Sequence, residues 1–373
     1  MEDNNKIISS LQINIVPKVT NSLRIANKIL SNANECHLIP YLKRNKWGFC
    51  NSKKEIVIEC VYDYALEFNE NLAAIRITNN WGFINKTGNI IVKIEFEGVR
   101  SFSDGFAAVK KNDKWGFIDY HGNIKIECIY DSVNNFFNGI AAVKYGKKYG
   151  FIDKYGKIIV DYKYLLAPKE LFSDPFSEGL ACVIGEGGMS WLYINKLGEV
   201  EINIMFGITG RPFSEGLAVV GLNQKYWFID KMGGKCFSRE FEYANSFSEG
   251  IATVKLNEKW GCIDKSGEVL VKFIYDDALS ISEGLIPVKL SDKWGFIDKS
   301  GKIIISFDFE EVTTFSEGLA AVKINNNWGY INKIGEIISP CIYPFVSSFH
   351  RGIASTFFGL KYINKNGIEF WED

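Results

Sequence analysis

An all-β tandem array is the fold class this sequence predicts: about ten three-stranded antiparallel β-meander units, stacked as an open, superhelical, propeller-like solenoid behind an N-terminal helical cap. Two observations carry it. The first is a phrase written again and again: KWGFIDYHGN from Lys114, KWGCIDKSGE from Lys259 and KWGFIDKSGK from Lys293. Aligned on its tryptophan, the phrase or its relatives stand at Trp47, Trp81, Trp115, Tyr149, Trp191, Tyr226, Trp260, Trp294, Trp328 and Leu360, a spacing of 34 residues that slips only between Tyr149 and Tyr226 and at the end. The second is an independent anchor, FSEG or its relatives, at Phe68, Phe102, Phe136, Phe176, Phe213, Phe247, Ile281, Phe315 and Phe349. Two anchors that keep one period are the signature of a repeat fold.

The elements follow in order. Residues 1–33 form a leader in which Val19, Leu23, Ala26 and Leu30 fall at helical spacing, with Thr20 or Asn21 as a cap. Such a helix would cover the open end of an array. Residues 34–373 divide into ten units: 34–67, 68–101, 102–135, 136–175, 176–212, 213–246, 247–280, 281–314, 315–348 and 349–373. Within a unit, GLAAVK reads as a first strand, KWGFID as a second and KIIIS as a third. Asn, Asp and Lys make the tight turn between the first two. DKSG or NKTG makes the next, with Gly at the position that needs a positive φ. In KWGFID, Trp and Phe point to one face and Gly and Ile to the other, and both faces are apolar. Units are therefore covered on both faces, and the Gly after Trp is expected to leave room for a ring of the neighbouring unit. The first and last units each look whole, with no strand left to lend, so the open stack is the expectation. A closed β-propeller is the alternative.

Composition limits function. Hydrophobic residues make up 47% and charged residues 23%, and 43 basic side chains against 44 acidic ones leave a net charge of −1. Nothing there draws the whole molecule to nucleic acid or an anionic membrane. The acidic, polar start is unlike a signal peptide, and no run is long enough for a membrane helix. The eight cysteines never form CxxC and sit singly in apolar contexts, as in GLACVI around Cys182. That reads as a reduced, cytoplasmic protein.

The combination of KWGFIDKSGKIIIS with FSEGLAAVK resembles the WG-repeat family of bacterial proteins, over roughly residues 34–373. The resemblance implies a β-repeat protein whose members vary in repeat number and serve in binding or scaffolding. It implies no catalytic residue and no cofactor. Variable repeat number also suits an open stack.

The sequence offers five kinds of candidate site. Exposed, the column Trp47, Trp81, Trp115, Trp260, Trp294 and Trp328 could hold sugars or choline; packed between units, it is core, which is the expectation. The acids of the FSEG anchor (Asp104, Glu178, Glu215, Glu249, Glu283, Glu317) and of the DKSG turn (Asp119, Asp153, Asp230, Asp264, Asp298) stand alone rather than in a calcium-type cluster, so turn hydrogen bonds account for them and no metal site is expected. The three histidines, His37, His121 and His350, lie far apart, and no hydrolase, zinc-protease or phosphate-loop motif occurs, so no enzyme is expected. The basic stretch KYGKKYGF, Lys144 to Phe151, is too local for nucleic-acid binding. The fifth is the place where the pattern fails. Eight extra residues enter between Tyr149 and Trp191, Leu192 and Trp227 replace the Gly after the aromatic anchor, and Arg211 stands alone in an uncharged segment. Loops on a rigid scaffold carry function, so a protein partner is expected to touch Lys169, Glu170, Leu171, Phe172, Glu186, Met189 and Arg211. The sequence thus points to an adaptor or inhibitor that binds protein, with a carbohydrate or cell-envelope module as the rival and nucleic-acid or nucleoprotein binding as a lesser alternative.

Overall fold

The regular unit is best seen in its eighth copy. Asp277–Ala278, Ile286–Leu290, Lys293–Ile297 and Ile303–Phe309 hydrogen-bond in that order as one antiparallel sheet. After Lys293, every residue of its third strand, Trp294 to Ile297, is buried, whereas the last strand alternates and leaves Ile303 exposed at the sheet edge. In the computed structural model, residues 38–165, 174–186, 188, 190–204, 209–357 and 361–372 are described. Their strands make ten sheets: seven of four strands, the fifth and sixth of three, and the last of two. The expected three-stranded unit is therefore usually four-stranded. The addition is a two-residue strand such as Asp277–Ala278, in the segment that joins one unit to the next. The one helical turn among the described residues is a 3-10 turn at Ser177–Gly179, and the proposed capping helix falls in residues 1–33, outside them.

Turn chemistry follows the residues. In SEG, Glu283 (φ 52°) and Gly284 (φ 86°) are both left-handed, and Ser282 and Leu285 exchange backbone hydrogen bonds of 3.0 and 3.2 Å. That is a two-residue hairpin of the kind whose twist suits the strands. In DKSG, Asp298 Oδ1 accepts from the Ser300 and Lys302 N–H groups. The carboxylate holds its own turn together.

The Gly after Trp has a different reason from the one expected. Trp294 pairs with Phe309 but Phe296 with Ile305, so the last strand carries a two-residue bulge. A Cβ on Gly295 would lie 2.8 Å from Ile305 O and 3.0 Å from Phe307 Cδ1, both in the same sheet. The glycine admits the bulge of its own sheet, not a ring of the neighbouring unit. Where Leu192 replaces it, the last strand shortens to Val200–Asn203 and the bulge opposite that position is gone. Where Trp227 replaces it, only isolated bridges remain, Tyr226 to Phe241 and Ile229 to Lys235.

The ends of the described chain meet, which favours the propeller-like alternative over the open stack. Trp371–Glu372 pairs in parallel with Leu42 and Lys43 of the first sheet. Tyr41 donates to Glu372 Oε1 at 2.7 Å, and Lys43 lies 2.8 Å from Oε2. Trp47 meets Tyr362 edge-on at 6.0 Å. One buried core takes in Phe49 of the first sheet, Ala73 of the second and Ile353 and Tyr362 of the last. The expectation of an open array failed because the pairing of Trp371–Glu372 with Leu42 and Lys43, and the bonds of Glu372 to Tyr41 and Lys43, occur once and leave no repeated pattern to read. Nine cores run round the arrangement, eight between two neighbouring sheets and one among three. It is thus a nine-blade, propeller-like fold by cores and ten by sheets, because the closing core joins three sheets at once.

Candidate interaction surface

The SEG turns form a chain of ties from each unit to the next. Gly250 N–H donates to Glu215 Oε2 at 2.9 Å, Gly284 to Glu249 at 3.0 Å, Gly318 to Glu283 at 3.0 Å and Gly352 to Glu317 at 2.8 Å. Upstream, Glu70, Asp104 and Glu178 serve Gly105, Gly139 and Gly216 in the same way. Ser282 and Ser316 hydroxyls add bonds of 2.7 Å to the carbonyls of Phe315 and Phe349. A lysine from the DKSG-type turn of the following unit then neutralises the carboxylate: Lys231 on Glu178, Lys265 on Glu215, Lys299 on Glu249, Lys333 on Glu283 and Lys365 on Glu317. Burial works against the ionised form, but the Gly216 N–H and Lys231 outweigh it and hold Glu178 below the usual carboxylate range; Glu215 and Glu317 behave alike. These acids therefore work between units, not only within their own turn. The chain returns on itself with the charge reversed, since Arg351 stands in the acidic position and donates to Phe68 O and to the Asn69 side chain.

The tryptophan column is packed. Trp47, Trp260 and Trp294 are buried, and Trp81, Trp115 and Trp328 are half-buried. Trp81 lies against Tyr64 and under the Arg76 guanidinium, 5.5 Å from it; Arg100 covers Trp115 at 5.2 Å. The third half-buried ring, Trp328, also carries a cation, with Lys323 5.8 Å from it.

Of the expected contact residues, Lys169, Glu170, Leu171, Phe172 and Met189 lie outside the described residues. Glu186 is exposed between the first two strands of the fifth sheet, and its carboxylate is held below its usual range by its hydrogen bond to Lys148 of the fourth. Arg211 is not a free surface cation. Its Nη2 donates to the Tyr243 hydroxyl at 2.7 Å, its guanidinium sits 5.0 Å over that ring, and its carbonyl accepts from Tyr193 at 2.6 Å. It braces the fifth, sixth and seventh sheets. Glu186 and Arg211 share no hydrogen bond or ion pair. Beside Tyr243 opens a 480 Å³ cleft lined by Gln224, Glu242, Lys255, Glu258 and Trp260. Glu242 there already accepts the Glu258 N–H at 2.9 Å.

Reactive groups are scarce. The seven described cysteines are free, and burial pushes the Cys182 and Cys262 thiols up to about 12. Among the described residues no three His, Cys, Asp or Glu side chains converge on a metal-binding position, and no helix is long and apolar enough to cross a membrane.

What sequence reasoning missed lies at the fourth-to-fifth junction. There FFNG replaces FSEG, so Phe137 and Asn138 supply neither the hydroxyl nor the carboxylate of the tie. Gly179 N–H turns instead to its own Phe176 carbonyl at 2.9 Å, which makes the 3-10 turn. Asn138 Nδ2 reaches Asp174 Oδ2 at 2.8 Å. The signal was present in the anchor and could have been read from it.

In sequence, the profile of the WG containing repeat matches eight times, at residues 47–81, 81–115, 115–149, 191–226, 228–260, 260–294, 294–328 and 328–356. The gap falls on the interrupted region. No curated protein matches the chain in sequence. In structure it is similar to a solved eukaryotic initiation factor, at 11% identity and TM-score 0.51 over 82% of this chain and 95% of that one. That likeness concerns the fold alone. BamB from Moraxella catarrhalis matches at 10% identity and TM-score 0.36 over 83% of this chain and 96% of its own, too distant to bear on function.

Proposed function

Because the chain belongs to the family of WG-repeat proteins, we propose that it is a non-enzymatic scaffold for protein–protein interaction, an adaptor or inhibitor working in the cytoplasm. One observation carries the reading. At the junction of the fourth and fifth sheets the repeated surface tie is abandoned while the core beneath it stays closed, with Phe151, Phe176 and Ile194 buried together. Surface change over an intact core is the pattern of a site carried on a rigid frame. Among the described residues, burial keeps thiols such as Cys182 and Cys262 protonated and so poor nucleophiles, which supports a binding role over a catalytic one.

The test is affinity capture from the native host. Wild-type protein is compared with a variant whose 165–174 and 184–190 segments are shortened. A protein retained by the wild type and lost by the variant supports the reading and places contact at the interruption. No protein retained by the wild type overturns it.

A further inference from the structure

The DKSG-type turn repeats once per unit, and its side chain just before Gly points to solvent. Most copies place a polar residue there: Lys53, Thr87, His121, Ser266, Ser300 and Asn366. The fourth, fifth and sixth sheets place Tyr155, Leu197 and Met232, which are 79%, 74% and 92% exposed. The turn does not ask for them. Leu197 N–H donates to Asn195 Oδ1 at 2.9 Å and Met232 N–H to Asp230 Oδ1 at 2.9 Å, the same bond that Ser266 N–H makes to Asp264. A single exposed aliphatic such as Ile334 is ordinary; three on consecutive turns are not.

The turns are neighbours on one rim. A Cβ on Gly198 would stand 3.1 Å from the side chain of Val160 in the sheet before, and one on Gly233 3.0 Å from Ile202 in the next sheet along. Each turn therefore sits on the last strand of its predecessor. Exposed Ile158 and Val200, three residues beyond Tyr155 and Leu197, extend the apolar row onto those strands.

Charge gives the row a second property. From the sixth sheet to the last the turn lysine is neutralised, as Lys265 is by Glu215 and Lys299 by Glu249. Lys196 would need a carboxylate at position 138, where Asn stands. Lys154 lies 5.3 Å over the Tyr155 ring and has no ion pair among the described residues; nor do Lys157 and Lys196. Facing them, Glu199 accepts from Asn195 Nδ2 at 2.8 Å, while Lys231 is held by Glu178. Two of the three apolar tips, Tyr155 and Leu197, thus follow an unneutralised cation.

We propose that this rim of the fourth to sixth sheets, Tyr155, Leu197 and Met232 framed by Lys154 and Lys196, docks an acidic amphipathic segment of another protein. Aromatic and methionine side chains are the usual anchors of such contacts. The cations set the charge of the partner and hasten its approach. The inference rests on the scaffold reading and names the surface it would use.

The probe is a fluorescent peptide of about 15 residues that alternates Leu and Phe with Asp and Glu; the control replaces the acids by Lys. Anisotropy is read against the full chain at low and physiological salt. The acidic peptide binds, the basic one does not, and added salt weakens binding. A triple variant, Tyr155→Ser, Leu197→Ser and Met232→Ser, borrows the side chain the repeat uses at Ser266 and keeps the wild-type melting temperature; it binds at least tenfold more weakly. Lys154→Gln with Lys196→Gln weakens binding and flattens the salt dependence, whereas Ile334→Ser changes nothing. Failure of the acidic peptide to bind below about 1 mM, equal binding of both peptides, or full affinity in the triple variant would overturn the proposal. If capture from the host still yields a partner lost with the shortened segments, the scaffold reading survives the loss of this rim. If capture also yields nothing, both fall.

Discussion

The junction between the eighth and ninth sheets and that between the fourth and fifth close over similar cores by different means. At the first, Ser282 ties to the Phe315 carbonyl, Glu283 accepts from Gly318, and Lys333 completes the pair at 3.0 Å. At the second, Phe137 and Asn138 make none of these, and the substitutes are Asn138 with Asp174 and Lys148 with Glu186. The core does not suffer: Phe151 packs on Phe176 at 4.9 Å, as Phe296 packs on Phe315 at 5.0 Å. Burial of the aromatic pair is thus the common requirement, and the polar ties are a second layer that one arc does without. Where that layer is relaxed, surface residues differ from the repeat at little cost to packing.

The largest effect should come from breaking the regular unit at its tightest point. Gly295→Val places carbon within about 3 Å of Ile305 O and Phe307 Cδ1, and backbone cannot yield as a side-chain tip can. A loss of about 3 kcal/mol is expected, read as a lower denaturant midpoint. The interrupted arc supplies the contrast. Leu192→Gly at the equivalent position meets no bulge and should lose only about 1–2 kcal/mol, from chain entropy and the half-buried side chain. Equal losses at the two sites would mean that the glycine does not serve the bulge.

Acid should weaken the regular arc first. Glu178, Glu215 and Glu317 have their carboxyls held below the ordinary glutamate value of 4.5 in the folded chain. A depressed folded-state value means that the unfolded chain takes up protons first as pH falls. Their contribution is therefore complete above about pH 5 and is lost as pH drops through 4.5 towards the lower folded values. Melting temperature should fall over that window. The variant Glu178→Gln, Glu215→Gln, Glu317→Gln should melt lower at pH 7 but decline less steeply. A parallel decline would show that other carboxyls govern acid unfolding. A smaller loss, about 1 kcal/mol, is expected for Ser282→Ala, which strands the Phe315 carbonyl.

Much of this was legible in the sequence, and the exceptions have physical causes. The Trp-Gly phrase fixes strand, period and burial, because an aromatic every 34 residues can be hidden only by stacking like on like. It does not announce the bulge, since the two extra residues lie in the variable last strand, FDF in one copy and YKY in another. The two-residue strands, such as Asp277–Ala278, are too short to show alternation. Closure was hidden because Glu372 lies where the repeat has no counterpart, and because Arg351, in place of the acid of the SEG anchor, does not announce its partner Asn69. Arg211 was noticed as unusual, yet only the fold shows that its charge is spent on Tyr243.

The subtlest change would restore the regular tie where it is missing. Asn138 already has the left-handed backbone of the turn, φ 49°, against 53° for Glu178 and 55° for Glu215. Asn138→Glu therefore introduces no backbone strain. Its carboxylate would meet the Gly179 N–H, which now bonds to its own Phe176 carbonyl, and would lie within reach of Lys196, as Glu178 does for Lys231. Exposed ion pairs are worth little, so a gain of about 0.5 kcal/mol is expected. Its value is diagnostic rather than energetic. The variant should take up the Ser–Leu hairpin pairing of the other turns in place of the 3-10 turn, visible as a change in amide exchange at Gly179. It should also neutralise Lys196 and lower affinity for the acidic peptide while Tyr155, Leu197 and Met232 stay untouched. A stabilised protein with undiminished peptide affinity would separate the two roles: the missing tie would then concern only the turn, and the cation beside Leu197 would not be what the rim offers a partner.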